Sequence, residues 1–249
     1  MKKTILFLLV GTMVMVSSCK DQVTTNAIST DDAAQMISMS LATNSMGATS
    51  IIQTSVSTGN SSSSIAPQKV KSVNSDFVIS VDTTFSVSSK PGAIISYSFT
   101  ANYGYELTFN TQLQLTNATE NYTYTGSYDA PLIASTHTGS GVFSFTNMTS
   151  GIWTVNGTFK RISDDVFKGI QAKTSHSETN LNLTNILVDR SSSTIQSGTA
   201  TVTIAGALPN KGDFSYTGTI TFNGANTATL VINGTSYTVN LITGEHKAK

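Results

Sequence analysis

Residues 95–109 read Ile95-Ser-Tyr97-Ser-Phe99-Thr-Ala101-Asn-Tyr103-Gly-Tyr105-Glu-Leu107-Thr-Phe109. Every odd position is apolar or aromatic and every even one is small or polar. A period of two sends alternate side chains to opposite faces of an extended strand, one face dry and one wet. Leu113 and Leu115 keep the same parity. The pattern returns in Tyr122/Tyr124, Phe143/Phe145, Trp153/Val155, Leu181/Leu183, Ala200/Val202/Ile204, Phe214/Tyr216, Ile220/Phe222, Leu230/Ile232 and Tyr237/Val239/Leu241. Asn233-Gly234 separates two such runs and signals a tight hairpin. Asn156-Gly157, Asn223-Gly224 and Lys211-Gly212 are weaker turn signals. No helical pattern interrupts the series from residue 74 to 249, so consecutive strands should pair antiparallel. The expected fold is mainly β: an antiparallel sheet, built as a sandwich or a curved half-barrel, with one N-terminal α-helix.

That helix is expected from residue 30, within an N-terminal segment bounded 30–52. Ser29 or Thr30 can cap it, and Asp31 and Asp32 sit in its first turn, where negative charge meets the helix dipole. Ala33, Met36, Ile37, Ser40 and Leu41 form one stripe, and Gly47 is a plausible stop. Residues 53–73 read as a linker, because Ser61–Ser64 offers nothing to bury and Pro67 cannot continue a helix.

The first nineteen residues carry an address. Lys2 and Lys3 precede an uncharged apolar run, Thr4 to Val16, followed by Ser17, Ser18 and Cys19. As a helix the run would span roughly 20 Å, against a hydrocarbon core of about 30 Å. It fits an export signal rather than a membrane span. Val16-Ser17-Ser18-Cys19 resembles the lipobox of bacterial lipoproteins: an aliphatic residue, two small residues and a cysteine whose thiol takes the lipid. The family prefers Leu in the first position and Gly or Ala before the cysteine, so Val16 and Ser18 depart from its commonest form. The resemblance covers about twenty residues. It implies a signal peptide at 1–18, a lipidated tether at 19–29, palmitate and diacylglycerol on Cys19, and a membrane partner reached through that lipid. Lys20, rather than Asp, after the cysteine implies the outer membrane, on either face. Asp82-Thr83-Thr84 resembles a short acceptor pattern for O-glycosylation in some bacterial envelope proteins.

Composition narrows the function. Basic and acidic residues are balanced at 14 each, and only 11% of the chain is charged. No basic field exists to attract nucleic acid. Serine and threonine together make up roughly 30% of the chain, far above ordinary usage. Cys19 is the only cysteine, so once lipidated it leaves no disulfide, thiolate nucleophile or sulfur metal ligand.

Motifs for chemistry are missing. Gly139-Ser140-Gly141 has its glycines too close for a nucleophile elbow and reads as a turn. Asp164-Asp165 would face opposite ways on a strand and read as a polar turn between Phe159 and Phe167, not as a glycosidase pair. His176 and Glu178 share a strand face and need further ligands to hold a metal; a solvated strand edge is the default reading. His137 reads as a loop or strand end, and His246 as tail. No catalytic residue, metal site or cofactor is expected. Tyr97, Tyr103, Tyr105, Tyr122 and Tyr124 are the candidate ligand contacts. Rows of rings stack on sugars or line a lipid groove; they also fill cores, which is the default reading here.

The sequence therefore predicts a non-catalytic envelope lipoprotein with a binding or structural role. A carrier or sensor of an apolar ligand is the second reading, by analogy with half-open periplasmic carriers, and a polysaccharide-acting enzyme is the third. The ligand, whether protein, glycan or lipid, stays open.

Overall fold

The computed structural model describes residues 27–62, 75–168 and 173–249. The expected signal peptide, Cys19, the expected tether up to residue 26 and most of the expected linker lie outside the described residues.

One antiparallel sheet of eleven strands accounts for most of the chain, with its strands in strict sequence order. They are β1 (Phe77–Ser88), β2 (Ser96–Phe109), β3 (Leu115–Asp129), β4 (Ile133–Thr146), β5 (Ile152–Phe167), β6 (Lys173–Asp189), β7 (Ile195–Leu208), β8 (Gly212–Gly224), β9 (Thr227–Ile232), β10 (Thr235–Asn240) and β11 (His246–Ala248). All the described strands belong to one continuous sheet. The first and last strands do not pair, so the sheet is not closed into a barrel. Alternation fixes the register: Tyr103 opposes Tyr122, and Tyr122 in turn opposes Gly141. Asn233 and Gly234, both at positive φ (48° and 77°), make the β9–β10 turn. This left-handed pair matches the sheet twist.

The inner face is covered by helices. Helix α1 (Thr30–Leu41) starts with a reciprocal capping box between Ser29 and Asp32, which satisfies two otherwise orphaned donors. A short 3-10 turn (Thr43–Ser45) and Met46 in the left-handed region redirect the chain into α2 (Ala48–Ser62). Ile37, Leu41, Ile51, Ile52 and Val56 are fully buried and share one core with the inner rows of the sheet. Ile28, just before α1, is also buried. Tyr216 Oη donates to its carbonyl (2.6 Å), and Ala27 N–H donates to Asp213 O of β8 (3.2 Å).

Several expectations are corrected. The single helical segment 30–52 is two helices, with Gly47 at their joint, and residues 53–62 are α2 rather than linker. Tertiary contacts explain the difference. Gly59 lies so close to Trp153 that a Cβ there would come within 2.9 Å of the ring. Asn60 accepts from Arg190 Nε (2.6 Å) and donates to Arg190 O (2.7 Å). Packing of this kind overrides poor helix propensity. Gly139-Ser140-Gly141 is not a turn but the middle of β4, where the rings of Tyr124 and Tyr122 lie over the two glycines. Asp164-Asp165 is likewise inside β5, one carboxylate facing out and the other in. Asn156-Gly157 marks a bulge in the same strand rather than its end.

Candidate functional site

A cleft of about 620 Å³ opens where the curvature of the sheet brings its first and last strands to the same place. Three loops and a helix border it. The β1–β2 turn brings Lys90, Ala93, Ile94 and Ile95; the β3–β4 turn brings Ala130, Pro131 and Leu132. From the far edge of the sheet, the β10–β11 turn brings Thr243 and Glu245, with His246 behind them. Gln35 and Met39, one helical turn apart on α1, form the base with Asn44.

The loops are held from below. Thr43 N–H donates to Leu241 O (2.8 Å) and Asn44 N–H to Ile242 O (3.0 Å), which ties the helix joint to the β10–β11 turn. His246 Nε2 meets Asp31 Oδ1 at 3.1 Å, and its ring packs on Tyr237 with 5.4 Å between centroids. Across the cleft, Ser89 Oγ accepts from Tyr97 N–H (3.0 Å), and Ala93 N–H closes the turn onto Lys90 O (3.2 Å).

The lip is apolar and wet. Ile94 is 85% exposed and Leu132 64% exposed. Two large aliphatic side chains this bare, on facing loops above a cleft, are unusual for a surface with no partner. The volume and the mixture of apolar wall with a few polar groups fall within the range of small-molecule sites.

The five tyrosines divide. Tyr97 borders the cleft and is half-buried. Tyr103, Tyr105, Tyr122 and Tyr124 are buried in the core beneath the helices, away from the cleft, in keeping with the default reading of these rings as core filling. Their rings stack along the strands, Tyr103 on Tyr105 at 6.0 Å and Tyr122 on Tyr124 at 6.5 Å.

The same core holds buried charge. Arg161 Nε donates to Tyr124 Oη (3.1 Å). Its terminal nitrogens donate to the carbonyls of Met39 (3.0 Å), Ser45 and Met46 (3.2 Å). These carbonyls belong to the end of α1 and its joint, where intrahelical donors run out. Asp165 accepts from Ser163 (2.7 Å) and Ser177 (3.3 Å), and burial pushes its carboxyl up from the usual range. Glu120 is completely buried, and neither of its oxygens has a hydrogen-bond partner. Burial pushes its carboxyl up to about 8, although Ser55 nearby opposes the shift. His137 lies among the rings of Phe99, Tyr124 and Tyr128, where burial holds it well below its ordinary value and therefore neutral. It is in β4, not a loop.

The outer-face candidates stay apart. His176 pairs with Asp164 (2.8 Å) and Glu178 with Lys160 (2.6 Å). No cluster of three or more His, Cys, Asp or Glu suited to a metal forms among the described residues. A shallow outer depression carries Asp129 and Asp164, but Asp129 is engaged by Lys168 and Asp164 by His176.

Sequence reasoning missed the cleft, because its walls come from turns far apart in the chain. It also missed Arg161 and Glu120, although a signal existed. Both sit on the apolar parity of their strands, where a charge must find a buried partner or lose its ionisation.

Comparison with family models, with curated proteins and with solved structures finds no match for this chain. The fold and the cleft define its class: a mainly β protein whose open, curved sheet wraps two helices and leaves an apolar mouth.

Proposed function

We propose that this chain is an envelope lipoprotein, held to a membrane by lipid on Cys19, whose domain binds an apolar or amphiphilic ligand without transforming it. The observation that carries this reading is the cleft, with Ile94 and Leu132 bare at its lip and Met39, Ala93, Ile95, Ala130 and Pro131 along its walls. Lys90 and Glu245 stand at the same opening and suit the polar end of such a ligand. Binding would take place at the mouth rather than between helices and sheet, where packed side chains already fill the space.

Two features weigh against the other readings. Among the described residues, Glu245 is the sole acidic side chain lining the cleft, whereas glycoside hydrolysis uses two carboxylates across a site. A barrel that crosses a membrane must close its edges and present apolar residues outward; this sheet has open edges and an outer face rich in Ser, Thr and Asn. No helix among the described residues is long and apolar enough to span a membrane.

Titration with a fluorescent long-chain fatty acid tests the cleft. The wild-type chain should bind it, and the double variant Ile94→Glu/Leu132→Glu should bind at least about tenfold more weakly, a loss of some 1.4 kcal/mol. Its unfolding midpoint should not move, because both side chains are exposed. Equal affinity in the two proteins rejects the reading. The anchor is tested separately by metabolic labelling with radioactive palmitate. Label is expected in the wild type and absent from Cys19→Ala; equal label in both removes the lipoprotein assignment.

A further inference from the structure

The two edges of the sheet are treated differently. At one edge the strands shorten to the three residues of β11, which contains Lys247 and is followed by Lys249. Ala27 covers part of β8 where β9 has ended. Short strands, lysines and covering segments are the usual means of blocking an edge. Among the described residues, the other edge, β1, has none of them. It runs twelve residues, pairs with β2 without a bulge, and contains no Lys, Arg or Pro. Asp82 is its only charge.

The inward row of β1 is also unfinished. Ile79, Val81, Phe85 and Val87 lie in register with Leu107, Tyr105, Ala101 and Phe99 of β2, on the core side of the sheet. Their β2 neighbours are almost completely buried, whereas these four are half-buried or exposed, with Phe85 38% exposed. Apolar surface therefore continues past the last paired strand and stops in solvent.

We propose that β1 pairs antiparallel with β1 of a second copy of this chain, about a two-fold axis through Thr83. Backbone direction and side-chain chemistry both select this register. Ser89 N–H donates to Tyr97 O of β2 (2.9 Å). Alternation along the unbroken ladder then leaves Val78, Ser80, Asp82, Thr84, Ser86 and Ser88 with backbone groups pointing away from β2. An axis at Thr83 sets each of these opposite another of the set, Asp82 facing Thr84, so that every pair exchanges both backbone bonds. The inward rows then match: Val81 meets Phe85 and Ile79 meets Val87. Moving the axis one residue to Asp82 would set two carboxylates directly opposite, which is destabilising. An axis between residues would place the apolar row of one copy on the polar side of the other. The contact is isologous, as a closed dimer requires.

Thr83 meets its symmetry mate at a non-hydrogen-bonded position, where Cα atoms are about 4.5 Å apart, within reach of a disulfide. The test uses full-length protein purified in detergent and oxidised under mild conditions. Thr83→Cys should give a reducible covalent dimer well above the wild-type background. Val81→Cys and Phe85→Cys should each give no covalent dimer alone, but should cross-link when mixed. Thr84→Pro, which removes an outward-facing N–H together with one exposed side-chain bond to Asn102 Oδ1 (2.8 Å), should lower the mass of the uncross-linked particle by one chain in light scattering while its circular dichroism is unchanged. A Thr83→Cys protein that cross-links no more than wild type overturns the proposal, as does equal cross-linking at all three positions. A particle of one chain before any substitution also overturns it and leaves β1 to another extended partner.

Discussion

The guanidinium of Arg161 is flanked by the rings of Tyr128 and Phe159 at 5.9 and 5.8 Å and donates to carbonyls at the end of α1 and its joint. Replacing it with methionine keeps volume but leaves those carbonyls buried and unpaired. Since each such group costs on the order of 1–3 kcal/mol, Arg161→Met is expected to lose about 3 kcal/mol in urea unfolding. A loss below about 1 kcal/mol would mean that the joint finds other donors. Glu120 makes a pH-dependent prediction. Burial pushes its carboxyl from the ordinary value of 4.5 up to about 8 in the folded state. The folded state therefore holds the proton more tightly. The stability this brings is complete below about pH 4.5 and drains away as pH rises towards 8. Glu120→Gln carries no such titration, so its stability should fall less than that of the wild type between pH 5 and pH 8. Parallel curves for the two proteins would show that Glu120 is not the group responsible. Asp165, also shifted upward, leaves a residual slope in both.

Strands were more legible than their exceptions. The period of two located the buried rows correctly, because hydrophobic alternation is a local property and the sheet obeys it. Gly139 and Gly141 misled, since a glycine pair inside a strand looks like a turn until its partner strand is known. Here the glycines make room for rings from β3: a Cβ at Gly141 would lie 2.4 Å from Tyr122 Oη and 2.1 Å from Thr158 O. Gly141→Ala should accordingly cost about 1–3 kcal/mol by overpacking, read as a lower thermal midpoint; an unchanged midpoint would show that both Tyr122 and the β5 backbone at Thr158 give way freely. Helix α2 was illegible beyond Ile52 for the opposite reason. Its Ser-rich end has weak intrinsic helicity, and the contacts that hold it, Gly59 on Trp153 and Asn60 on Arg190, join residues about a hundred or more positions apart.

At the scale of the molecule, sequence order alone predicts a meander but not its curvature. Curvature decides whether the first and last strands stay far apart or share a cleft, and it depends on how the inner face closes over α1 and α2. The candidate site exists because of that closure: the turns carrying Ile94 and Leu132 come to face the turn carrying Glu245. Tyr97 is the one candidate tyrosine that borders the cleft, since it lies where an alternating strand runs out into the mouth. The most direct test is photo-crosslinking of the full-length protein with a diazirine-bearing fatty acid, followed by peptide mapping. Label concentrated in residues 89–97 and 130–132, and competed away by unmodified fatty acid, is the predicted result. Label spread over the outer faces of β5–β7, or insensitive to competition, would contradict a binding cleft at the mouth.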